Sequence, residues 1–470
     1  MDPVVIIGAG PAGVAAAYEL SRKGAEVVIV EADEAIGGLS RTLSYKGALF
    51  DVGPHRFFTK NKEILGLWSE ALGPDFVDVD RLTRIFYRNQ FFNYPIALGD
   101  TLKKVGPGQA ASFGFSYLGQ RVANVFSHGE PESFEDWVVG QFGRSLFNAF
   151  FKTYTEKVWG IPCSQIGAEW AGQRIKGLSL SEVVRNAIFK PKEKAKTLVE
   201  QFKFPRLGAG MMYERIAQMA TECGAKVLLG TKATGIRHEK GRAVAVQVQR
   251  NGQTEDIACS YVLTSNPLTE VALNLQPAAP AEILEAARAL RYRCHLSVNL
   301  LVEGDLFPDN WIYVHAREVV LCRVASYANF SDEMRTKEGL HPITVEYFQF
   351  PEDELYSNPS TEALVEFAKR ELKQMGIVQP EQVRDGFVVR SRYAYPVLEI
   401  GYVPRLEQVK SYLGTLTNLQ PIGRAGMFKY NNQDHSIATG LFGARKVLGQ
   451  DLDVWAVNID AEYHESGEAQ

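Results

Sequence analysis

The sequence has few of the features that mark secreted, membrane-spanning or nucleic-acid-binding proteins. Only five of its 470 residues are cysteine, and these are scattered without a C-x-x-C pair. We therefore expect no disulfide framework, no metal site and a reducing cytosol. The apolar runs stay well short of the roughly 18 residues of a membrane span, and a formal net charge of −4 supplies no basic field for nucleic acid. Because a strand begins at once and leaves no room for a signal peptide, we expect a cytoplasmic protein.

What the chain does contain is a dinucleotide signature at its start. Val4–Ile7 is an apolar run of strand length, followed directly by Gly8-x-Gly10-x-x-Gly13, a helical stretch at 15–20 and a second strand at 26–30 that ends at Glu31. In this context the glycines permit a tight turn, close approach of a pyrophosphate and close helix–strand packing. The helix start offers N–H groups to phosphates, and Glu31 can accept hydrogen bonds from an adenosine ribose. Alone, this motif fits NAD as well as FAD.

A second glycine cluster narrows the cofactor to FAD. The chain reads GGLSRT at 37–42 and G-x-LFD-x-G at 47–53. This is similar to the second signature of the flavoprotein group that includes amine oxidases, protoporphyrinogen oxidases and UDP-galactopyranose mutases. In that group the chain wraps the FAD pyrophosphate a second time and then passes the flavin ring. The resemblance therefore implies that the chain binds FAD.

Length and pattern predict an α/β protein of three units, since one compact core is not expected at 470 residues. We expect a Rossmann-like FAD-binding domain assembled from residues 1–78, 203–270 and 415–470. A substrate-binding β-sheet domain should comprise 79–100 and 271–414, and a helical insertion 101–202. Within the second FAD segment, the pattern predicts a helix at 212–223 and four strands, at 225–229, 233–238, 243–249 and 256–264.

Further motifs resemble the UDP-galactopyranose mutases more closely than the wider group. FEDW at 134–137, F-x-x-Y-x-x-KVW at 151–159, WAGQR at 170–174, F-x-FP at 202–205 and GR-x-G at 423–426 follow that family's order. YNNQDHS at 430–436 is most similar to its eukaryotic-type members, and the resemblance spans nearly the whole chain. It departs near Val199, where fungal members carry a sugar-contacting asparagine, in a shorter loop at 430–432 and at Gly210-Met211-Met212. These departures leave the identity of the sugar open.

The resemblance implies specific site residues. It implies that His55 lies against the central flavin ring, and that Arg174 and Arg323 bind the bridged phosphates of a nucleotide sugar, as planar guanidinium groups can. With these two arginines, it implies substrate contacts at Tyr313, Tyr395, Tyr430 and Asn432. The catalytic residues expected are His55, Arg174, Arg323 and Tyr430. The cofactor contacts expected are Gly8, Gly10, Pro11, Ala12, Gly13, Glu31, Ala32, Gly38, Leu39, Ser40, Arg41, Gly53, His55, Ala233, Arg424, Asn431, Asn432, Gln433 and Ser436.

The function that the resemblance implies is that of a flavin-dependent mutase, an intramolecular transferase. Such enzymes isomerise a nucleotide-diphosphate sugar between pyranose and furanose forms through an adduct of reduced flavin and sugar, without net redox. One alternative is an FAD-dependent oxidoreductase, like amine oxidase or protoporphyrinogen oxidase, acting on a sugar, an amine or another small molecule. A flavin-binding protein without catalysis is a third interpretation. The sequence leaves open the sugar, the nucleotide, the oligomeric state and the reductant, for which NAD(P)H or a reductase would serve.

Overall fold

The computed structural model describes residues 2–94, 98–126, 129–170, 201–304 and 306–458. Its strands are β1 (Val4–Ile7), β2 (Val27–Val30), β3 (Thr42–Tyr45), β4 (Ala48–Asp51), β5 (Phe76–Asp80), β6 (Thr83–Tyr87), β7 (Gln90–Asn93), β8 (Gln201–Pro205), β9 (Lys226–Leu228), β10 (Thr231–Glu239), β11 (Arg242–Arg250), β12 (Gln253–Ala258), β13 (Tyr261–Thr264), β14 (Leu275–Gln276), β15 (Tyr292–Val302), β16 (Trp311–Val314), β17 (Arg323–Ser326), β18 (His341–Gln349), β19 (Val383–Pro396) and β20 (Leu419–Pro421). Its α-helices are α1 (Pro11–Ser21), α2 (Lys62–Leu72), α3 (Leu98–Val105), α4 (Pro107–Phe126), α5 (Phe134–Phe142), α6 (Arg144–Phe150), α7 (Lys152–Trp159), α8 (Gly210–Glu222), α9 (Leu268–Leu273), α10 (Ala281–Ala289), α11 (Glu354–Ser357), α12 (Thr361–Gln374), α13 (Tyr402–Leu413), α14 (Gly423–Gly426) and α15 (Gln433–Val447).

A parallel sheet of five strands carries the dinucleotide signature. Its order is β20-β13-β1-β2-β9, and every neighbouring pair runs parallel. β1 and β2 are buried along their whole length, as expected for apolar runs covered on both faces. Because parallel strands end at one edge, Gly8 after β1 and Glu31 after β2 share that edge, where α/β sheets bind nucleotides.

Two glycines allow α1 to pack closely against its neighbours. A Cβ at Gly13 would lie 1.9 Å from the carbonyl oxygen of Gly8, and a Cβ at Gly440 on α15 would lie 2.1 Å from that of Ala12. Both atoms are backbone atoms, which cannot move aside as a side chain can. The packing of α1 on β1 and on α15 therefore requires glycine at these two positions.

The four-stranded sheet differs from the sequence prediction at one strand. Its order is β12-β11-β10-β14, and the single strand predicted at 256–264 is wrong. That segment divides into β12, which pairs antiparallel with β11, and β13, which pairs parallel with β1. The break follows from the backbone of Cys259 and Ser260, whose N–H groups donate to Val244 in β11 and to Pro3 just before β1.

A seven-stranded sheet forms the other large layer, in the order β19-β15-β18-β17-β16-β6-β7. β15 is buried throughout, because β18 and β19 flank it and α12 packs nearby. In the antiparallel pair of β17 and β18, Arg323 lies directly opposite Glu346. The register thus brings two charged side chains together in the interior of this sheet.

Helices α3 to α7 pack as a unit beside this sheet around buried phenylalanines. Two cations attach α7 to the sheet. Lys157 Nζ donates to the carbonyl of Ala316 at 2.5 Å, and Arg293 Nε donates to that of Val158 at 3.1 Å. None of the helices that the structure describes is long and apolar enough to cross a membrane. The mixed sheets and helices confirm the predicted α/β fold class.

Candidate active site

The two glycine clusters face each other and form a narrow cradle. A Cβ at Gly38 would lie 3.3 Å from Gly10 Cα, whereas a Cβ at Gly10 would lie 4.0 Å from Gly38 Cα. Gly10 is also the N-cap of α1 and has no side chain to cap the first N–H groups. Backbone donors at a helix start and a lining without side chains are what a bound pyrophosphate needs. The cradle therefore fits FAD, with Pro11, Ala12 and Gly13 on its helical side.

Glu31 lies at the nucleotide edge of the parallel sheet. Its carboxylate accepts hydrogen bonds from the N–H groups of Ala9 at 2.7 Å and Asp33 at 2.9 Å. Burial raises the pKa of Glu31 above its ordinary value. The Thr231 N–H donates to the Glu31 carbonyl at 2.7 Å, so β10, with Ala233, begins beside it. A carboxylate has about four acceptor sites, which leaves capacity for a ribose hydroxyl.

The second glycine cluster is tied to the start of α8 by Asp51. Thr42 Oγ1 donates to Asp51 Oδ1 at 2.6 Å, and the Ala209 N–H donates to both carboxylate oxygens at 3.0 and 3.1 Å. Burial outweighs these hydrogen bonds and raises the pKa of Asp51 to about 7. On the same segment Arg41 Nη1 donates to the Gly38 carbonyl at 2.7 Å, and Ser40 is buried. These contacts fix the shape of the cradle.

One cleft collects most of the residues predicted around the flavin ring and the substrate. Four separate segments of the chain supply them. The predicted residues that line it are Leu39, Gly53, His55, Tyr313, Arg323, Tyr395, Arg424, Tyr430, Asn432 and Gln433. Arg174 and Ala32 are not among them: Arg174 lies outside the described residues, and Ala32 is exposed just after Glu31.

His55 is buried in this cleft with an unused hydrogen-bonding atom. Within the described residues its Nδ1 has no partner. Burial, together with the cations Arg424 and Arg323, lowers the pKa of His55 to about 3, so the imidazole is neutral. A buried polar atom without a partner is costly. Because His55 follows the second glycine cluster, a polar atom of the bound cofactor is a suitable partner for its Nδ1.

Two stacked tyrosines and an arginine form one wall of the cleft. The rings of Tyr395 and Tyr430 lie 5.1 Å apart at 11°. The Arg424 guanidinium carbon lies 5.0 Å from the Tyr395 ring centre and 5.2 Å from that of Tyr430. Arg424 Nε also donates to the Asn431 carbonyl at 2.7 Å. The arginine is thus held over both rings by its own loop.

Tyr313 stands apart from this stack. It makes edge contacts with Tyr94 and Tyr154, at centroid distances of 5.2 and 5.4 Å. Tyr154 in turn stacks on His315 at 4.9 Å, and burial, with Lys157 nearby, lowers the pKa of His315 to about 3. The second tyrosine cluster therefore joins the seven-stranded sheet to the helical unit.

Helix α15 begins at the cleft. Asn432 is its N-cap, Ser436 is buried in its first turns, and the Ser436 N–H donates to the Asn432 carbonyl. The Asn431 side chain, fully buried, donates to the Gly423 carbonyl at 3.1 Å. Asp434, which the sequence prediction did not include, adds a buried acid to this helix start. The helix N-terminus thus faces the cleft with a carboxylate already beside it.

Sequence reasoning missed Glu346, which holds Arg323, and His295, which holds Glu346. Glu346 accepts from Arg323 Nε at 2.6 Å and from Nη2 at 2.9 Å, and His295 Nε2 lies 2.7 Å from Glu346 Oε1. Gly53 packs on this group, because a Cβ there would lie 2.9 Å from Glu346 Oε1. An isolated acid inside the apolar strand ITVEYFQF was the available signal, since a buried carboxylate requires a partner.

Comparison with known proteins identifies the family of the chain. The family model described as flavin containing amine oxidoreductase matches residues 11–425. A Klebsiella pneumoniae protein named "Probable UDP-galactopyranose mutase" is 29% identical over 172 residues, which cover 35% of this chain and 43% of that protein. L-amino acid oxidase Cdc18 of Crotalus durissus cumanensis is 46% identical over 59 residues, covering 13% of this chain and 12% of that protein. The chain thus spans less than half the length of these curated relatives.

Solved structures match over nearly the whole chain. A crystal structure of reduced UDP-galactopyranose mutase has a TM-score of 0.84 at 21% identity and covers 98% of both chains. Wild-type putrescine oxidase bound to putrescine has a TM-score of 0.61 at 14% identity and covers 96% of this chain and 99% of its own. At these identities the likeness shows the fold, and it confirms the expected resemblance to the mutases. Because the family model covers most of the sequence and the glycine cradle fits the cofactor, the chain belongs to the flavin-containing amine oxidoreductase family and binds FAD.

Proposed function

We propose that the chain is a flavin-dependent mutase that isomerises a nucleotide-diphosphate sugar between its pyranose and furanose forms. The observation that carries this proposal is the convergence of Arg323, Tyr313, Tyr395 and Tyr430 with Arg424 and His55 in one cleft. Arginines suit the bridged phosphates, and tyrosines suit the sugar and its phosphates because each offers a hydroxyl on an apolar ring.

The charge of the cleft favours an anionic substrate. Three arginines, Arg56, Arg323 and Arg424, face two acids, Glu346 and Asp434, and burial keeps His55 neutral by lowering its pKa to about 3. The surplus of one positive charge attracts a diphosphate and repels a protonated amine. Arg174, which the mutase resemblance assigns to the diphosphate, would add a further cation.

The stacked tyrosines argue against an amine held between aromatic rings. With centroids 5.1 Å apart at 11°, Tyr395 and Tyr430 are in contact and admit nothing between them. Arg424 already occupies the cationic position over both rings. An oxidoreductase acting on another small molecule is the alternative, which the family match supports.

In the proposed reaction the protein residues bind, orient and stabilise charge. Reduced FAD, when bound, supplies a nucleophilic ring nitrogen at the anomeric carbon of the sugar. Arg323 holds the diphosphate as it leaves and stabilises its growing charge. The diphosphate thereby stays beside the sugar at high effective concentration for its return. Because His55 is neutral, it adds no charge beside the flavin ring.

The test is to incubate dithionite-reduced holoenzyme with UDP-galactose and with other UDP- and dTDP-sugars, and to separate ring isomers by chromatography. We expect interconversion with the reduced enzyme and none with the oxidised enzyme, with NAD(P)H or a reductase able to replace dithionite. Arg323→Ala should lower kcat/KM by about 10²- to 10³-fold. Reduction of the flavin by an amine or another substrate, with no ring isomer from any sugar, would establish the oxidoreductase alternative instead.

A further inference from the structure

Arg323, Glu346 and His295 form a buried network on three neighbouring strands. Arg323 on β17 lies directly opposite Glu346 on β18. On the other side Glu346 pairs with Ser297 of β15, so His295, two residues earlier, lies diagonally on the same face. Glu346 has no exposed surface and His295 is 4% exposed. The sheet register itself therefore fixes the carboxylate beside the arginine.

The hydrogen bonds use only one edge of the arginine. A guanidinium group has five donors in one plane, and Glu346 takes the edge formed by Nε and Nη2. The Arg323 side chain keeps 16% of its surface exposed. Arg323 lines the cleft, and the edge formed by Nη1 and Nη2 is the one left for a ligand. That edge can bind an oxyanion by two hydrogen bonds while Glu346 holds the other.

Glu346 remains a carboxylate under ordinary conditions. Burial opposes its ionisation, but the charge of Arg323 and the hydrogen bond from His295 outweigh burial and lower the pKa of Glu346 to about 2. Arg323 therefore faces an anion, whose oxygens lie 2.6 Å from its Nε and 2.9 Å from its Nη2. Any ligand must share that cation with Glu346.

We propose that Glu346, held by His295, is a positioning residue that makes arginine obligatory at position 323. An arginine serves the carboxylate with one edge and the substrate phosphate with the other. A lysine at this position has a single compact ammonium group, which Glu346 would capture, leaving no second edge of donors for the substrate. This inference rests on the proposed nucleotide-sugar function, because it assigns the free edge to a phosphate oxygen.

A double-mutant cycle tests this competition. UDP binding to reduced holoenzyme is measured by calorimetry for wild type, Arg323→Lys, Glu346→Gln and the double variant. We expect Arg323→Lys to weaken binding about 10- to 100-fold, since a charge-assisted hydrogen bond is lost, and to bind no better than Arg323→Ala. Adding Glu346→Gln to Arg323→Lys releases the ammonium group, so the double variant should bind UDP at least about fivefold more tightly than Arg323→Lys.

A merely structural role for Glu346 gives the opposite sign. In that case Glu346→Gln would weaken binding equally in both backgrounds, and this additive result would overturn the inference. So would an Arg323→Lys variant that binds UDP as tightly as wild type. If Glu346→Gln does not fold with FAD, Arg323→Lys is compared with Arg323→Ala alone. If Arg323→Lys binds UDP more tightly than Arg323→Ala does, Glu346 does not capture the ammonium group and the inference is refuted.

The chain offers a matched control on the same sheet. Arg84 holds the fully buried Asp309 by the same edge, with Nε at 2.8 Å and Nη2 at 2.5 Å, and neither residue lines the cleft. Arg84→Lys should therefore leave UDP affinity unchanged. If wild-type holoenzyme binds neither UDP nor dTDP, the proposed function fails and this inference with it. If it binds UDP but the cycle is additive, only this inference fails.

Discussion

An alanine at Gly10 should weaken FAD binding without weakening the fold of the apoprotein. Gly10 has φ −77° and ψ −177°, a backbone conformation open to any residue. The added methyl group would approach no atom closer than Gly38 Cα, at 4.0 Å, which is ordinary contact. The apoprotein therefore has nothing to rearrange, and its free energy of unfolding should change by less than about 1 kcal/mol.

The holoprotein has less room. The pyrophosphate is expected to approach the backbone at Gly10, the N-cap of α1, and a methyl group on Gly10 would crowd it there. Overpacking of this kind costs about 1–3 kcal/mol, which corresponds to a rise of roughly 5- to 150-fold in the dissociation constant of FAD.

Two further glycines supply the comparison. An alanine at Gly13 would place its Cβ 1.9 Å from the Gly8 carbonyl oxygen, so it should destabilise the apoprotein as well, by about 1–3 kcal/mol or more. At Gly66, inside α2, an added methyl group would have open space around it, with no neighbouring atom within 4 Å. An alanine there should leave FAD binding unchanged and stabilise the helix by up to about 1 kcal/mol.

The assay combines thermal or urea unfolding of each apoprotein with titration of FAD by calorimetry. Gly10→Ala should lose affinity for FAD only, Gly13→Ala should lose both affinity and stability, and Gly66→Ala should lose neither. The reasoning is refuted if Gly10→Ala keeps the wild-type affinity for FAD. It is also refuted if Gly10→Ala destabilises the apoprotein as much as Gly13→Ala, because the cradle would then be a packing contact.

Two further predictions concern the pH dependence of the free energy of unfolding, which has opposite signs for Asp51 and His315. The pKa of Asp51 is raised to about 7 from 3.8, so the folded state binds its proton more tightly and wild type loses stability as pH rises between these values. Relative to wild type, Asp51→Asn should therefore gain about 2.5 kcal/mol in urea unfolding between pH 5 and 7; an unchanged difference would contradict this. The pKa of His315 is lowered to about 3 from 6.5, so wild type loses stability as pH falls below about 6.5. His315→Phe, which can keep the stack on Tyr154, should gain about 2 kcal/mol relative to wild type from pH 6.5 to 5, and parallel pH profiles would refute the assignment.

The parts of the fold that sequence predicts well are local. The strand, glycine turn and helix of residues 4–21 follow from apolar runs and glycine positions within one short segment, and the structure has them as β1 and α1. The segment 256–264 was mispredicted as one strand because its residues keep a strand pattern throughout. The change of sheet at Ser260 depends on distant partners, Pro3 and Val244, which no local pattern reveals.

The same distinction applies to the cleft. His55, Arg323, Tyr395 and Tyr430 could be named because they lie in motifs similar to those of a known family. Glu346 could not, since it lies in no motif and its partner is 23 residues away, across a strand pair whose register the sequence does not state. A single acid in an apolar strand signals a buried partner but does not say which one.

The division between cofactor and substrate residues bears on the choice of function. Mutases and oxidoreductases of this fold both need the glycine cradle, so a loss of FAD at Gly10 would abolish either activity and cannot tell them apart. The residues that can are those whose charge meets the substrate. Glu346 occupies one edge of the Arg323 guanidinium group, formed by Nε and Nη2. The edge formed by Nη1 and Nη2 is left, and it has the geometry of a phosphate contact. An arginine that is held in this way and lines the cleft has donors left for an oxyanion. The arrangement therefore supports our proposal of a substrate that carries its own oxyanion.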